Sequence, residues 1–322
     1  MQKVNRKPSF SSKKVIGYTL KILLLLATLI SASAIILIVY QLAERGLRPL
    51  FGVYTVDGFT DVKLNIRYFF TGMEYIGYLK DFNLDGVLEG AYGIGYLIIN
   101  TIFNVGLSVL LATPIGILTG VFIVKMAPNK LGQVLQVVVE MLAAVPSVVI
   151  GMFGQGFIAN IIKNVTPVTG NFSLLNTVIV LTIMILPTIT MMSTTALRAI
   201  PRSIEEGSLA LGATETQTMF KVVLPAAKSG IFAGVILAVG RALGEASAVS
   251  LVAGGSGSGP NFNIFGRTNT LSSRILMGFK EVSEGSLDFE VRFTMGLVLI
   301  AVILFFNIVL NAIKKRVANY EL

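Results

Sequence analysis

Two charged side chains lie in the middle of an apolar stretch of the sequence. Arg241 and Glu245 are the only charged residues between Lys228 and Arg267, and a spacing of four places them on one face of a predicted helix. A charge near the centre of a bilayer costs about 2.5–3.5 kcal/mol even on a lenient insertion scale. Two interpretations follow. The residues form a buried ion pair that fixes packing, or Arg241 presents its planar charge to an oxyanion while Glu245 positions or gates it.

Residues for other kinds of chemistry are missing from the sequence. It contains no His and no Cys, which excludes disulfides, His-ligated metal sites and His general bases. It also contains no Gly-Lys dipeptide, which the phosphate-binding loop of an ATPase requires. We therefore expect no enzyme activity, no metal and no cofactor, so that any energy from ATP must come from another subunit.

The composition indicates a membrane protein with several spans. Hydrophobic residues make up 54% of the 322 residues, charged residues make up 13%, and the mean hydropathy is +0.78. The net charge of +9 comes from basic residues at the ends of apolar stretches, so it does not predict a nucleic-acid partner. A need for about twenty apolar residues per span predicts six transmembrane helices, at 19–41, 95–124, 134–162, 173–197, 230–253 and 293–313.

Charge asymmetry predicts the orientation of these spans. The N-terminal arm, the loop 198–228 and the C-terminal tail are rich in Lys and Arg, whereas residues 43–90 contain more acidic than basic residues. By the positive-inside rule, both termini and the loop 198–228 are cytoplasmic. The first apolar stretch is predicted to be an uncleaved helix, because no small-residue cleavage site follows it.

The sequence predicts one membrane domain with an insertion. We expect a cytoplasmic arm and first helix at 1–42, an extracytoplasmic insertion at 43–94, the main transmembrane domain at 95–313 and a cytoplasmic tail at 314–322. The insertion is predicted to be either a small ordered unit or a pair of interfacial helices. The glycine-rich stretch Gly254–Gly259 is predicted to be a flexible turn.

Proline and glycine residues suggest which spans bend and which pack closely. Prolines are predicted near the middle of the second, third and fourth spans, at Pro114, Pro146 and Pro187. Each one bends its helix, either as a static kink or as part of a bundle that moves. Two small-xxx-small pairs in the fifth span, Gly230 with Gly234 and Gly240 with Gly244, predict that this helix is central.

The loop 198–228 is predicted to hold two short helices. Capping-box spacing occurs twice, at Ser203 with Glu206 and at Thr214 with Gln217. Gly212 is expected to end the first helix and Pro225 the second. The second helix presents an apolar side, suited to a partner's groove, made of Met219, Phe220, Val222 and Val223.

This loop resembles the EAA loop of ABC-transporter permeases. Glu206, Gly212 six residues later, and Val222-Val-Leu-Pro225 match the pattern, although Gly207 and Ser208 stand where the family has alanines. The resemblance implies that the loop docks into an ATPase subunit, with coupling residues Glu206, Gly212, Met219, Phe220, Leu224 and Pro225. The alternative is an ordinary interhelical loop with good caps.

A second resemblance concerns the charged stretch itself. Gly240-Arg-Ala-Leu-Gly-Glu-Ala246, Leu142–Gly151 and Ile183–Pro187 are similar to segments of the permease subunits of bacterial phosphate ABC importers, of the PstC type or its homologue PstA. Ala246 replaces the usual threonine. The resemblance covers about 95–313 and implies a type I ABC importer (MetI-like) permease fold in the bacterial inner membrane.

The resemblance to phosphate importers also implies partners. They are a sister permease in a heterodimer, a cytoplasmic ATPase dimer, an extracytoplasmic phosphate-binding protein, and phosphate itself as substrate. Arg241 and Glu245 would then lie on the substrate path. Two alternatives remain at this stage: a permease for another oxyanion such as sulfate or molybdate, and a membrane scaffold that binds an ATPase without transporting anything.

Overall fold

The protein is a bundle of apolar helices with a small insertion. The computed structural model describes residues 10–56, 59–75, 81–82, 87–89, 91–166 and 170–319. Helical stretches long and apolar enough to cross a membrane are Gly17–Phe51, Gly95–Met126, Ser147–Val165, Leu174–Arg198 and Leu287–Arg316. A bent pair, Glu215–Ala226 and Lys228–Gly244, meets at 63° and gives a sixth span when counted as one. The predicted all-α polytopic fold is confirmed.

The first helix is longer than predicted and packs against the last. Helix α1 runs from Phe10 to Phe51, so the predicted domain boundary at residue 43 lies inside it. It approaches helix α14, Leu287–Asn319, closely at Gly46, where a Cβ atom would lie 2.6 Å from Leu297 Cδ1. The Thr294 hydroxyl donates a hydrogen bond to the Gly46 carbonyl at 2.8 Å. The absence of a side chain at Gly46 therefore lets the two backbones meet.

The insertion that follows α1 is a small ordered unit, the first of the two predicted alternatives. Its elements are β1 Tyr54–Val56, β2 Phe59–Leu64, α2 Ile66–Thr71, β3 Asp81–Phe82 and β4 Val87–Glu89. The strand order is β1-β2-β4-β3, with β2 and β4 parallel and the other pairs antiparallel. Aromatic side chains fill its core, because Phe69, Tyr75 and Tyr92 are all buried.

Helix α7 is the centre of the bundle. It spans Leu174–Arg198 and packs between α3, Gly95–Val121, and α11, Lys228–Gly244. Helix α11 packs against α3, α7 and α14, which agrees with the central position predicted for the fifth span. Helix α7 carries more buried side chains than α11 and is the more central of the two. Its predicted bounds, 173–197, agree with the structure to within one residue.

Glycines set how closely the neighbours of α7 approach it. A Cβ atom at Gly116 of α3 would lie 2.8 Å from Ile189 Cγ2, and one at Gly234 of α11 would lie 2.5 Å from Met192 Cβ. The close approach predicted for Gly230 and Gly234 is confirmed. Gly240 and Gly244 make no such approach in the described part of the chain, because a Cβ at either position would have no atom from another element within 4 Å.

The third predicted span is broken at Pro146. A π-helical segment, Phe122–Met126, ends the second span, and helix α4 follows at Asn129–Ala144. The spanning part begins only at Ser147, as helix α5 (Ser147–Phe153), a second π-helical segment (Gly154–Ile158) and helix α6 (Ala159–Val165). Proline forces the residue before it out of the helical region, and Val145 accordingly has ψ 128°. The predicted span 134–162 is corrected to 147–165, with α4 a separate helix.

The stretch Gly254–Gly259 is packed, so its prediction as a flexible turn is wrong. Gly254 has a φ of +83°, and a Cβ atom there would lie 2.4 Å from Phe172 Cβ. The Ser256 carbonyl accepts a hydrogen bond from the Tyr96 hydroxyl at 3.0 Å. Glycine is needed for conformation and close contact here. The chain then continues into helix α13, Leu271–Leu276, and on to α14.

Candidate functional site

The fifth span is broken beside the predicted charged pair. Helix α11 ends at Gly244, Glu245 has extended backbone angles of φ −72° and ψ 114°, and helix α12 occupies Ser247–Val252. The carboxylate of Glu245 accepts a hydrogen bond from the Ala248 amide at 2.8 Å, so it satisfies one of the free amides at the start of α12. The Glu245 carbonyl accepts a hydrogen bond from the Ser272 hydroxyl at 2.7 Å. Both the side chain and the backbone of Glu245 therefore hold the break in place.

Arg241 does not pair with Glu245. Its side chain is exposed, and its Nη1 atom lies 3.4 Å from the Thr188 hydroxyl, a long hydrogen bond. No salt bridge joins Arg241 to a carboxylate in the described part of the chain. The interpretation as a buried ion pair is wrong, because the helix ends before Glu245 and the spacing of four no longer places both residues on one helical face. The remaining guanidinium donors are open to an incoming acceptor.

Helix α11 has one open face and one packed face. The residues Leu237, Arg241 and Gly244 are exposed at spacings of four and three. The packed face, directed at the bundle, consists of Ile231, Gly234, Ala238 and Ala242, all buried. Arg241 therefore projects from a face of small and apolar residues, with unoccupied space beside Gly240.

Two of the predicted helix-bending prolines lie in elements that surround this break. Pro187 is buried in α7 directly before Thr188, the residue that contacts Arg241. Pro146 directly precedes α5, which packs on α12 so closely that a Cβ atom at Gly151 would lie 2.8 Å from Ala248 Cα. Pro114 lies inside α3, which stays helical through it. The roles of all three in bending stay predictions.

Sequence reasoning missed two residues of this site. Thr188 contacts Arg241, 53 residues away in the sequence, and Ser272 contacts Glu245, 27 residues away. Hydroxyl residues are common in membrane helices, where they usually bond to the carbonyl one turn earlier, as Thr182 does to Val178. The only available signal was the position of Thr188 directly after Pro187, and it was too weak to single the residue out.

The chemistry that this arrangement supports is anion binding. Arg241 is a permanent cation with free donors, and its neighbour Thr188 adds a hydroxyl. In the residues that the structure describes, no three His, Cys, Asp or Glu side chains are placed to hold a metal ion. Glu245 is engaged in capping, so its carboxylate holds the backbone at the site.

A second candidate surface is the loop between α7 and α11. It contains helix α8 (Arg202–Ala210), helix α9 (Glu215–Thr218), a π-helical segment (Met219–Val223) and helix α10 (Leu224–Ala226). Gly212 has the left-handed conformation predicted for it, with φ +86°. The Ser208 and Thr218 hydroxyls lie 2.9 Å apart and join α8 to α9. The loop is therefore a folded helical unit.

The predicted ends of these two helices are partly correct. The capping box at Thr214 and Gln217 is confirmed, since both of its hydrogen bonds are present. The one predicted at Ser203 is wrong, because α8 begins at Arg202 after Pro201 and has no side-chain cap. Proline occupies the N-cap position there, and its side chain has no acceptor for the first amides of α8. Pro225 does not end the second helix either, because helical structure continues to Ala226 and bends afterwards.

The exposed apolar face of this loop differs from the predicted one. Met219 is 8% exposed and Val223 is fully buried, and both pack against Val121 and Leu197 of the protein's own bundle. Phe220 stays 46% exposed, and Leu211 is 91% exposed. Met219 and Val223 therefore anchor the loop to the bundle, and the prediction that they belong to the outward face is wrong. Glu206, Gly212 and Pro225 are exposed and Leu224 is half-buried, and the coupling role of the whole set stays a prediction.

Sequence comparison places most of the chain in one family. The model of the family described as "Binding-protein-dependent transport system inner membrane component" matches residues 112–319. The "Probable ABC transporter permease protein YqgH" of Bacillus subtilis is 35% identical over 259 residues, covering 80% of this chain and 84% of that protein. The "Phosphate transport system permease protein PstC 1" of Mycobacterium tuberculosis is 30% identical over 294 residues, covering 83% and 87%.

Solved structures share the fold at low sequence identity. A bacterial alginate ABC transporter, solved in complex with an alginate pentasaccharide-bound periplasmic protein, contains a chain that matches with a TM-score of 0.62 and 14% identity, covering 95% of this chain and 97% of that one. An inward-facing MetNI methionine ABC transporter matches with a TM-score of 0.55 and 20% identity, covering 68% and 93%. These matches confirm the predicted importer-type permease fold.

Proposed function

Because this chain belongs to the family of binding-protein-dependent transport system inner membrane components, we propose that it carries inorganic phosphate across the bacterial inner membrane. It is a multi-pass ABC-transporter permease. Relatives named as phosphate permeases of the PstC type cover more than four-fifths of the chain, and they support both the substrate and the PstC-type identity. The transmembrane domain proposed to carry this activity is 95–313.

The observation that carries the proposal is the unpaired Arg241 on the open face of α11. An anion that enters an apolar layer loses its hydration and needs a compensating charge. A guanidinium matches tetrahedral oxyanions with two parallel donors, and it stays charged at any physiological pH. Because Glu245 is held by Ala248, the arginine charge is not neutralised within the helix. Arg241 therefore meets the phosphate, and Glu245 shapes the site by fixing the helix break.

Coupling to ATP hydrolysis is proposed to run through the loop 198–228. Exposed Phe220 and Leu211 give an ATPase dimer an apolar surface to hold. Met219 ties the same segment to the bundle, and helical structure continues with one 63° bend from Glu215 into α11. A displacement of the loop would therefore reach Arg241 along a single helical path. An ATPase dimer, a sister permease and an external phosphate-binding protein complete the importer, with both termini of this chain in the cytoplasm.

The proposal is tested by ATP-driven uptake of labelled phosphate in proteoliposomes that contain the complete complex. Arg241→Gln removes the charge and keeps a side chain of similar length. We expect uptake to be lost while assembly with the ATPase persists, and we expect excess sulfate not to compete with phosphate in the wild type. Arg316→Gln, at an exposed position in the last turn of α14, serves as a matched control for the loss of one Arg. Full uptake by Arg241→Gln, or strong competition by sulfate, would contradict the proposal.

A further inference from the structure

A polar cavity lies at the end of the bundle that carries the loop 198–228. It has a volume of about 320 Å³ and forms where the ends of α3 and α7 meet the starts of α4 and α8. Its lining includes three cationic residues, two amides and one glycine: Lys125, Arg198, Arg202, Asn129, Gln133 and Gly132. A water molecule occupies about 30 Å³ in the liquid, so the cavity has room for a tetrahedral oxyanion together with several waters.

The cations in this cavity are incompletely neutralised. No acidic residue lines the cavity, and its three cations come from three different elements. Lys125 is paired with Glu205 of α8, which lies outside the lining. Arg198 donates to the neutral amide of Gln136, and Arg202 forms no salt bridge in the described part of the chain. The guanidinium groups of Arg198 and Arg202 therefore line the cavity, and neither forms an ion pair with a carboxylate in the described part of the chain.

We propose that this cavity binds a phosphate group at a site separate from Arg241. Two guanidinium groups and an ammonium group supply several strong donors to phosphate oxygens, and the side chains of Asn129 and Gln133 add neutral ones. Two sources carry the same chemistry: free inorganic phosphate, and the headgroup of an anionic phospholipid at the membrane surface. The same donors would bind the phosphate group of either ligand, and the experiment below distinguishes the two ligands.

The position of Arg202 and Lys125 gives this site a regulatory consequence. Arg202 is the first residue of α8, whereas Arg198 is the last residue of α7. A phosphate held by both arginines therefore adds a link between α7 and α8, beside the existing ion pair of Lys125 with Glu205. This consequence, unlike binding itself, rests on the proposed coupling role of the loop: an occupied cavity restrains α8 and slows the ATPase-driven cycle.

Binding is measured as equilibrium binding of labelled inorganic phosphate to the complex of the two permeases and the ATPase dimer, without the phosphate-binding protein, in nanodiscs of phosphatidylcholine alone. Every variant also carries Arg241→Gln, which separates this site from the proposed substrate path. We expect Arg198→Gln with Arg202→Gln to weaken binding by about tenfold or more, as removal of two charge-assisted contacts requires. Lys130→Gln removes a nearby positive charge that does not line the cavity, and we expect less than about a twofold change.

A second arm uses nanodiscs that contain phosphatidylglycerol, with retained lipid identified by native mass spectrometry. Arginine-dependent binding of free phosphate assigns the site to inorganic phosphate, and arginine-dependent retention of the anionic lipid assigns it to a headgroup. Gln133→Glu, which adds a negative charge to the lining, should abolish either one without removing an arginine. If neither ligand depends on Arg198, Arg202 or Gln133 while the complexes remain assembled, the proposal is overturned. Loss of uptake in Arg241→Gln alone does not affect this result.

Discussion

The carboxylate of Glu245 accepts a hydrogen bond from the backbone amide of Ala248 at 2.8 Å, and this contact turns a predicted ion pair into a helix cap. The acid is satisfied locally, and Arg241, one turn earlier, remains charged and open. A single acidic residue therefore has two effects: it fixes the break in the fifth span, and it leaves the neighbouring cation available for a ligand.

The cap predicts different results for two substitutions of Glu245. Glu245→Gln keeps an oxygen that can accept from Ala248, whereas Glu245→Ala removes it. We expect the alanine variant to lose about 1 kcal/mol of stability and most phosphate uptake, and the glutamine variant to keep more of both. Thermal unfolding in detergent and uptake in proteoliposomes measure these effects. Equal loss in the two variants would instead point to the charge of Glu245.

Thr188 is expected to position Arg241. In Thr188→Val the guanidinium loses its hydroxyl partner at 3.4 Å, but the size of the side chain is kept. Because this hydrogen bond is long and exposed, we expect a loss of about 1 kcal/mol or less. That loss should appear as a higher KM for phosphate with the maximum uptake rate little changed. Thr188→Ser keeps the hydroxyl and should behave as wild type; a KM unchanged in the valine variant would remove Thr188 from the site.

The sequence predicted the starts of α3 and α7 well and the broken spans poorly. For α3 and α7 a long apolar stretch is bounded by polar residues, so the predicted starts at 95 and 173 agree with Gly95 and Leu174 to within one residue. The break at Glu245 contains no proline, and its partner Ser272 lies on α13, far along the chain. Tertiary contacts of this kind override a continuous apolar pattern, which is why the open arginine became visible only in the fold.

In the loop 198–228, Phe220 and Met219 were predicted to share one apolar face, but they lie on different sides of the chain. Phe220 is 46% exposed, whereas Met219 is buried in the bundle. Phe220→Ala should weaken co-purification of the ATPase and destabilise the permease less than Met219→Ala does, because about half of the Phe220 side chain faces outward. Met219→Ala should cost the permease about 2–5 kcal/mol through a lost core contact. Equal destabilisation by both variants would contradict an outward role for Phe220.

Glycine substitutions on α11 should have opposite effects on its two faces. A Cβ atom at Gly234 would lie 2.5 Å from Met192 Cβ, so Gly234→Ala forces α11 away from α7 and should cost about 1–3 kcal/mol. Gly240 has no atom within 4 Å of such a Cβ, so Gly240→Ala should be neutral or stabilising by up to about 1 kcal/mol. Thermal unfolding of the two variants side by side tests this difference. A destabilised Gly240→Ala would show that the open face is packed.

The folded protein should lose stability at alkaline pH through ionisation of Tyr75. The residue is buried in the insertion, and burial together with the nearby Asp288 carboxylate, which accepts its hydrogen bond at 3.0 Å, raises the pKa of its hydroxyl well above 10. In the unfolded chain tyrosine releases its proton near pH 10, whereas the folded protein keeps it. Stability from this group is therefore complete below about pH 10 and falls as the pH rises towards the folded pKa.

Thermal unfolding from about pH 8 to pH 11 measures this fall, with Tyr75→Phe as the comparison. The phenylalanine variant has no proton to lose, so its stability should fall less steeply above about pH 10 than that of the wild type. At pH 8 it should be about 1 kcal/mol less stable, because Asp288 loses its hydrogen bond. Parallel curves above pH 10 would show that Tyr75 ionises at the same pH in the folded and unfolded protein, and that the insertion does not hold its proton.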